Sequence, residues 1–341
     1  MRLTPPLTAL AFIASTAAHA DPFQTGLAEL DVPNDAGRQL EGYLWYPTDA
    51  AEGAQEYHGN AVWTGITAAA DAPIADGTFP LVVLSHGMYG NAMNQSWLAS
   101  ALAEQGYIVA AISHPGTSTW LRDADDARML WERPKDVSRV IDHLTGDPMI
   151  ATQIDETRIY MGGHSLGGFT AALLAGARFE ADQLEAICAD DPGDLICGIF
   201  KGWDVAQTVQ DIAQMEADLS DPRISKVAVF DLGGTQTLTS ESLGTIEASL
   251  MVMGAPKGDH DINLDIESRA FAAMMPSGGT YLEPASLSHF DFLGVCKPDA
   301  LAILQEEEPD DMFVCFDGTS ERAADHAMIL DAALAFFAQD E

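Results

Sequence analysis

Seven consecutive residues, Gly162-Gly163-His164-Ser165-Leu166-Gly167-Gly168, restrict this chain more than any other stretch. They follow the apolar run Ile159-Tyr160-Met161, which reads as a strand, and they open into Leu166 to Ala177, which reads as a helix. A serine at such a junction takes a strained backbone conformation that pushes its hydroxyl into the open, and glycines beside it let strand and helix approach closely. The amino end of the helix then offers partial positive charge and the free N–H of Leu166 to a developing oxyanion. Ser165 is therefore the candidate nucleophile of a strand–turn–helix elbow.

The rest of the chain supplies the frame that such an elbow needs. Leu81-Val82-Val83-Leu84 is an unbroken apolar run of the kind covered on both faces in a parallel sheet, and it stops at Ser85-His86-Gly87. Strands are also expected at 38–47, 107–112, 226–230, 249–254 and 280–283, and helices at 95–105, 134–144, 265–275 and 322–338. Residues 48–77, rich in Ala, Gly and Asp, read as loop. The alternation predicts an α/β fold with a mostly parallel central sheet, helices on both faces, and ligands at the carboxyl ends of the strands. Residues 178–222 interrupt it, hold a helical segment near 204–218, and are expected to form a cap or lid over that edge.

A serine hydroxyl needs an imidazole to take its proton and a carboxylate to hold that imidazole in the right tautomer. On this kind of fold the order is serine, acid, histidine. Only His260, His289 and His326 follow Ser165, and His289, beyond the last predicted core strand and flanked by aromatic residues in Leu287-Ser288-His289-Phe290-Asp291-Phe292, is the best placed base. His326 sits at the start of the terminal helix and reads as a surface or capping residue. Asp231 ends a buried strand and would be held desolvated beside the ring; Asp261 and Asp259, in the loop after the following strand, remain alternatives. The Ser85-His86-Gly87-Met88 turn can aim the N–H of Met88 at the same point as that of Leu166, completing an oxyanion hole. Tyr89 and His114, each at the end of a strand, are candidates for lining the substrate site.

Net charge is −36, from 16 basic and 52 acidic residues spread along 341 positions, which disfavours nucleic acid and anionic lipid as partners. Residues 1–20 have an arginine, an apolar stretch and Ala18-His19-Ala20, the pattern of a signal peptide, leaving 21–341 as one domain exported to the periplasm or beyond. No later segment is apolar and long enough to cross a membrane. In an oxidising compartment the even set Cys188, Cys197, Cys296 and Cys315 favours two disulfides, and short loops favour Cys188 with Cys197 and Cys296 with Cys315. No CxxC pair suggests zinc, and Asp259-x-Asp261-x-Asn263 lacks the later glycine and glutamate of a calcium loop, so no metal is expected.

Taken together, Trp45-Tyr46-Pro47-Thr48, Phe79-Pro80 leading into LVVLSHG, His114-Pro115-Gly116, GGHSLGG and SHFDFLGVC resemble the bacterial hydrolases labelled predicted dienelactone hydrolases, relatives of platelet-activating-factor acetylhydrolase. A weaker likeness, through fold and elbow only, links the chain to polyester-degrading cutinases. The resemblance implies an α/β-hydrolase fold and a serine esterase mechanism needing no cofactor, with Ser165 as nucleophile, His289 as base, Met88 and Leu166 as oxyanion donors, and Asp231 matching the acid. Dienelactone hydrolases proper carry cysteine where this chain has Ser165. The expected activity is cleavage of a small or lipid-like carboxylic ester through an acyl-enzyme. The alternatives are an amidase or peptidase with the same triad, and a non-catalytic exported binding protein on a hydrolase scaffold.

Overall fold

Apolar runs become strands wherever both faces can be covered. In the computed structural model, which describes residues 22–33, 37–258, 262–316 and 319–339, the strands are β1 (Gln24–Val32), β2 (Leu40–Thr48), β3 (Gln55–Tyr57), β4 (Ile66–Ala70), β5 (Phe79–Ser85), β6 (Ile108–Ser113), β7 (Ile154–His164), β8 (Ile224–Phe230), β9 (Ser249–Met253) and β10 (Thr280–Leu282). The expected signal peptide at 1–20 lies outside the described residues, as do Asp259, His260 and Asp261.

The strands form one sheet in the order β10-β9-β8-β7-β5-β6-β2-β1-β4-β3. From β6 through β5, β7, β8 and β9 to β10 every pairing is parallel, while β2 runs antiparallel to both β6 and β1. In register, Val83 stands beside Met161 and Met161 beside Val227. Because side chains alternate across a strand, Leu81, Val83, Met161, Val227 and Val229 feed one core with the helices Glu132–Gly146 and Leu166–Ala175. Their neighbours Val82, Leu84, Tyr160, Ala228 and Phe230 feed the other, against helices Ser96–Glu104 and Thr319–Phe337. Each large apolar side chain so buried contributes about 1.5–3 kcal/mol, which is why the central strands are continuous apolar runs instead of alternating ones. The result is an α/β-hydrolase fold with extra helical insertions.

Two expectations need correction. Residues 48–77 are not all loop: β3 and β4 form an antiparallel pair, and β4 joins β1 through Gly26 and Ala69. Ala-rich β4 has weak intrinsic strand preference, so the pairing with β1 decides its state. The interrupting segment holds three helices, Ala181–Asp190, Leu195–Gly202 and Val209–Met215, where one near 204–218 was expected. The first two are tied by Cys188–Cys197; the second disulfide, Cys296–Cys315, closes the segment that follows His289. Trp63 pairs with Cys296 across an isolated bridge, which brings the 58–64 loop over the same end of the sheet. No helix among the described residues is long and apolar enough to cross a membrane.

Candidate active site

At Ser165 the chain turns with φ 56° and ψ −120°, between β7 and the helix Leu166–Ala175. The two glycines of GxSxG are required by contact, since a Cβ on Gly163 would lie 2.1 Å from the carbonyl oxygen of Gly167, and one on Gly167 1.9 Å from that of Ser85. The strained serine is held by its own N–H, which donates to the Phe230 carbonyl at 2.9 Å. Ser165 is half-buried and lines a cavity of about 640 Å³ together with Met88, Leu166 and His289. The β5 turn passes directly beneath it: a Cβ added to Gly87 would come within 3.1 Å of the Ser165 Cβ. Met88 and Leu166, the two candidate oxyanion donors, thus flank the nucleophile from two separate chain segments.

Asp231 follows β8 with φ 42° and is fully buried. Its Oδ2 accepts a 2.7 Å hydrogen bond from His289 Nδ1, and its Oδ1 accepts from the Ala255 N–H at 3.0 Å and the Ser268 hydroxyl at 3.3 Å. A carboxylate so satisfied fixes the imidazole with its proton on Nδ1 and leaves Nε2 as the basic nitrogen. Of the acid candidates, Asp231 is therefore the one the structure brings to His289; the alternatives Asp261 and Asp259 lie outside the described residues.

The His289 turn is secured from several sides. His164 Nε2 donates to the His289 carbonyl at 2.7 Å, and Trp97 Nε1 to that of Phe292 at 3.1 Å. Ser288 and Asp291 form a reciprocal capping box around the short turn His289–Phe292, and Arg322 Nε donates to Asp291 Oδ1 at 3.2 Å. His326 is a correction: expected as a surface or capping residue, it is buried, stacked on Trp97 with centroids 3.5 Å apart, and its Nε2 bonds the Asp291 and Leu293 carbonyls. Burial pulls its pKa down to about 4. Sequence reasoning missed His164, Trp97, Ser268, Arg322 and His326 as supports. Only His164 carried a signal, as the residue immediately before the elbow serine.

A second serine, histidine and aspartate meet at the Ser85–Met88 turn. Ser85 Oγ lies 3.0 Å from His114 Nε2, and His114 Nδ1 lies 2.9 Å from Asp136 Oδ2. All three residues are fully buried and none reaches the cavity wall. His114 as a substrate-lining residue is accordingly corrected: its ring points into the fold, between β5 and the helix Glu132–Gly146, while Tyr89 does line the cavity. Burial and the nearby Arg133 push the His114 pKa down to about 3, keeping the ring neutral. Burial disfavours the Asp136 charge, but hydrogen bonds from His114 and Arg38 outweigh it and hold the carboxyl well below its ordinary range. Arg133 donates to Ser85 Oγ at 3.1 Å, to Thr117 Oγ1 at 2.6 Å, and to the His86 carbonyl. His86 is similarly structural, accepting the His114 N–H at 3.0 Å on Nε2.

Among known proteins, a family model described as serine aminopeptidase, S33, matches residues 78–189, which run from β5 through the elbow into the helix Ala181–Asp190. A bis(hydroxyethyl) terephthalate hydrolase of Streptomyces coelicolor is 29% identical over 159 residues, covering 47% of this chain and 46% of that protein. Cutinase 2 of Thermobifida cellulosilytica is 29% identical over 108 residues, 31% of this chain and 38% of that one. The matched region thus spans about half or less of these relatives' own length. The solved structure of a ferulic acid esterase from Streptomyces cinnamoneus superposes with a TM-score of 0.61 at 21% identity, covering 95% of this chain and 91% of that one, a likeness of fold.

Proposed function

We propose that this chain is a serine hydrolase acting on carboxylic esters, with Ser165 as nucleophile, His289 as general base and Asp231 as the acid that orients it. The observation that carries the reading is the 2.7 Å bond to a fully buried Asp231 from Nδ1 of His289, which stands on the wall of the cavity that also holds the strained Ser165. His289 Nε2 takes the serine proton as Oγ attacks the ester carbonyl. The Met88 and Leu166 N–H groups receive the oxyanion, each such donor being worth roughly 3–4 kcal/mol. The imidazolium protonates the departing alcohol, and water activated by the same ring releases the acid from the acyl-enzyme.

The cavity is of ordinary size for a small ligand, and Trp63, Tyr89, Phe200, Trp203 and Phe290 stand on its wall. An aromatic wall suits an ester with a flat or lipid-like acyl group, and the terephthalate-ester hydrolase among the relatives acts on such a compound by its name. The insertion at 178–222 serves as the cap that shapes this site, through Ile196, Phe200 and Trp203. Closer kinship with dienelactone-hydrolase-like esterases rests on the quoted motifs, while the relatives found are cutinases and a terephthalate-ester hydrolase. The two disulfides point to an oxidising environment, and with the leader-like start they support export to the periplasm or beyond.

The family model described as a serine aminopeptidase favours one second reading, cleavage of an amide by the same residues. A panel of p-nitrophenyl esters and p-nitroanilides, run with fluorophosphonate labelling, separates these. Ester turnover with label on Ser165 is expected. Turnover of anilides in preference to esters would favour the amidase, and absence of both turnover and label would leave a binding protein.

A further inference from the structure

Almost every basic side chain in this acidic chain is committed. Among the described residues Arg38, Arg128, Arg139, Arg158, Arg178, Arg223, Arg269 and Arg322 each meet a carboxylate. Lys135, Lys201, Lys257 and Lys297 do the same. Arg133 and Lys226 are buried against hydroxyl and carbonyl oxygens. Arg122 is the exception. It is exposed, makes no ion pair with a carboxylate among the described residues, and stands on the wall of the cavity that holds Ser165 and His289. With 52 acidic residues against 16 basic ones, a cation left without an acidic partner at that position is the feature that the fold's own stability does not explain.

We infer that Arg122 is the anion-binding element of the substrate site, selecting esters that carry a second, carboxylate group, such as half-esters of dicarboxylic acids. The inference rests on the hydrolase reading above. Its geometry is prepared. The Arg122 guanidinium carbon lies 4.3 Å from the centre of the Tyr89 ring, and the Tyr89 hydroxyl is held by Trp203 Nε1 at 3.1 Å. The backbone at Arg122 bridges to Gly116 and Thr117, and Asp123 caps the helix that follows. An aromatic face takes the flat side of a guanidinium and leaves its N–H donors at the edge, where a carboxylate oxygen pair fits them two for two. The wall's own carboxylate, Asp311, makes no ion pair with Arg122. Elsewhere the net charge of −36 repels an anionic substrate, so discrimination depends on this one side chain. A compound cleaved once from a diester is itself such a half-ester, so Arg122 would favour a second cleavage by the same enzyme.

The test compares mono-p-nitrophenyl esters of dicarboxylic acids with neutral p-nitrophenyl alkanoates of equal chain length. The wild-type protein is expected to prefer the anionic member in kcat/KM. Arg122→Gln should lower that preference about tenfold, mainly through KM, the order expected for one charge-assisted contact, with Arg122→Lys between the two. Added salt should narrow the gap between the preferences of wild type and Arg122→Gln, since it screens the Arg122 contact in the one and the general repulsion in both. Equal preference in wild type and Arg122→Gln overturns the inference. Fluorophosphonate labelling and neutral-ester turnover report the hydrolase reading separately: if both are present while the preferences match, only the anion subsite fails, and if both are absent, the two readings fall together.

Discussion

Two constellations of serine, histidine and aspartate stand on neighbouring strand ends among the described residues. Ser85, His114 and Asp136 have the more complete chain of hydrogen bonds, 3.0 Å and then 2.9 Å, yet all three are sealed from solvent. Ser165 and His289 share a cavity wall, and one 2.7 Å bond joins His289 to Asp231 behind it. The difference is in what else each serine touches. Ser85 Oγ accepts from Arg133, which occupies one of its lone pairs, and it lies fully buried in an ordinary strand position, off the cavity wall. Ser165 is strained outward at the amino end of a helix, on a cavity wall that it shares with Met88 and Leu166. A triad of residue types and bonds is thus insufficient for nucleophilic catalysis; access and oxyanion donors decide which set reacts. The sealed set has a different task. Through Arg133 and His86 it fixes the turn carrying Met88, so one constellation holds the floor on which the other works.

The largest effect that could break this comparison is an exchange of roles. Ser165→Ala should lower kcat for p-nitrophenyl esters by a factor on the order of 10⁴ to 10⁶ and abolish fluorophosphonate labelling, whereas Ser85→Ala should keep labelling and lower stability by about 1–3 kcal/mol, the cost of leaving a buried partner unsatisfied. Loss of label in the Ser85 variant, with its fold intact by circular dichroism, would reverse the assignment.

Next come the two aspartates. Asp231→Asn leaves the imidazole in the wrong tautomer and should cost about 10⁴-fold in kcat with little change in melting temperature. Asp136→Asn removes the acceptor shared by Arg38, Arg139 and His114, and should destabilise the fold by about 3–5 kcal/mol, as loss of one member of a buried charged cluster does. Urea denaturation beside steady-state kinetics separates the two; a stable but inactive Asp136→Asn would contradict the structural role given to the sealed set.

Sequence and structure agree where local rules suffice. The elbow was legible because strand, glycines and helix are consecutive, and β5 to β9 because parallel strands covered on both faces are unbroken apolar runs. His114 misled because a strand-end position indicates proximity to the active edge and says nothing of which way a ring turns; that is decided by Asp136, a distant residue on the helix Glu132–Gly146. β3 and β4 were illegible for a similar reason, their strand state being conferred by β1 instead of by their own side chains. His326 read as an exposed residue of a helix start, and only the tertiary stack on Trp97 buries it.

A smaller effect sharpens the picture of the open set. His164→Ala removes the 2.7 Å bond to the His289 carbonyl and a ring packed 4.5 Å from that of His289. A single hydrogen bond is worth about 1 kcal/mol, so kcat should fall several-fold, with KM nearly constant. An unchanged kcat would mean that Trp97, Arg322 and the capping box suffice to place the base.

The smallest effect concerns pH, and its sign follows from buried rings. In the folded chain His114 is held down to about 3 and His326 to about 4, burial being the leading cause in both. The unfolded chain takes up protons near the ordinary histidine value, about 6.5. Between that value and about 4 the unfolded state therefore binds more protons, and stability falls as the solution is acidified. Glu267 pulls the other way: burial raises its pKa to about 7, so the folded state is the one that holds this proton, and it gains as pH falls from about 7 toward the ordinary carboxyl value. Burial holds His58 and His86 down in the same way and raises Glu104 as it does Glu267, so four rings against two carboxyls leave a net loss, and the melting temperature should drop from pH 7 to pH 5. His326→Gln should flatten that slope, because it removes one of the rings responsible, while Glu267→Gln should steepen it by removing an opposing carboxyl. A slope that ignores both substitutions would place the acid sensitivity in the other rings that burial holds down, His58, His86 and His114.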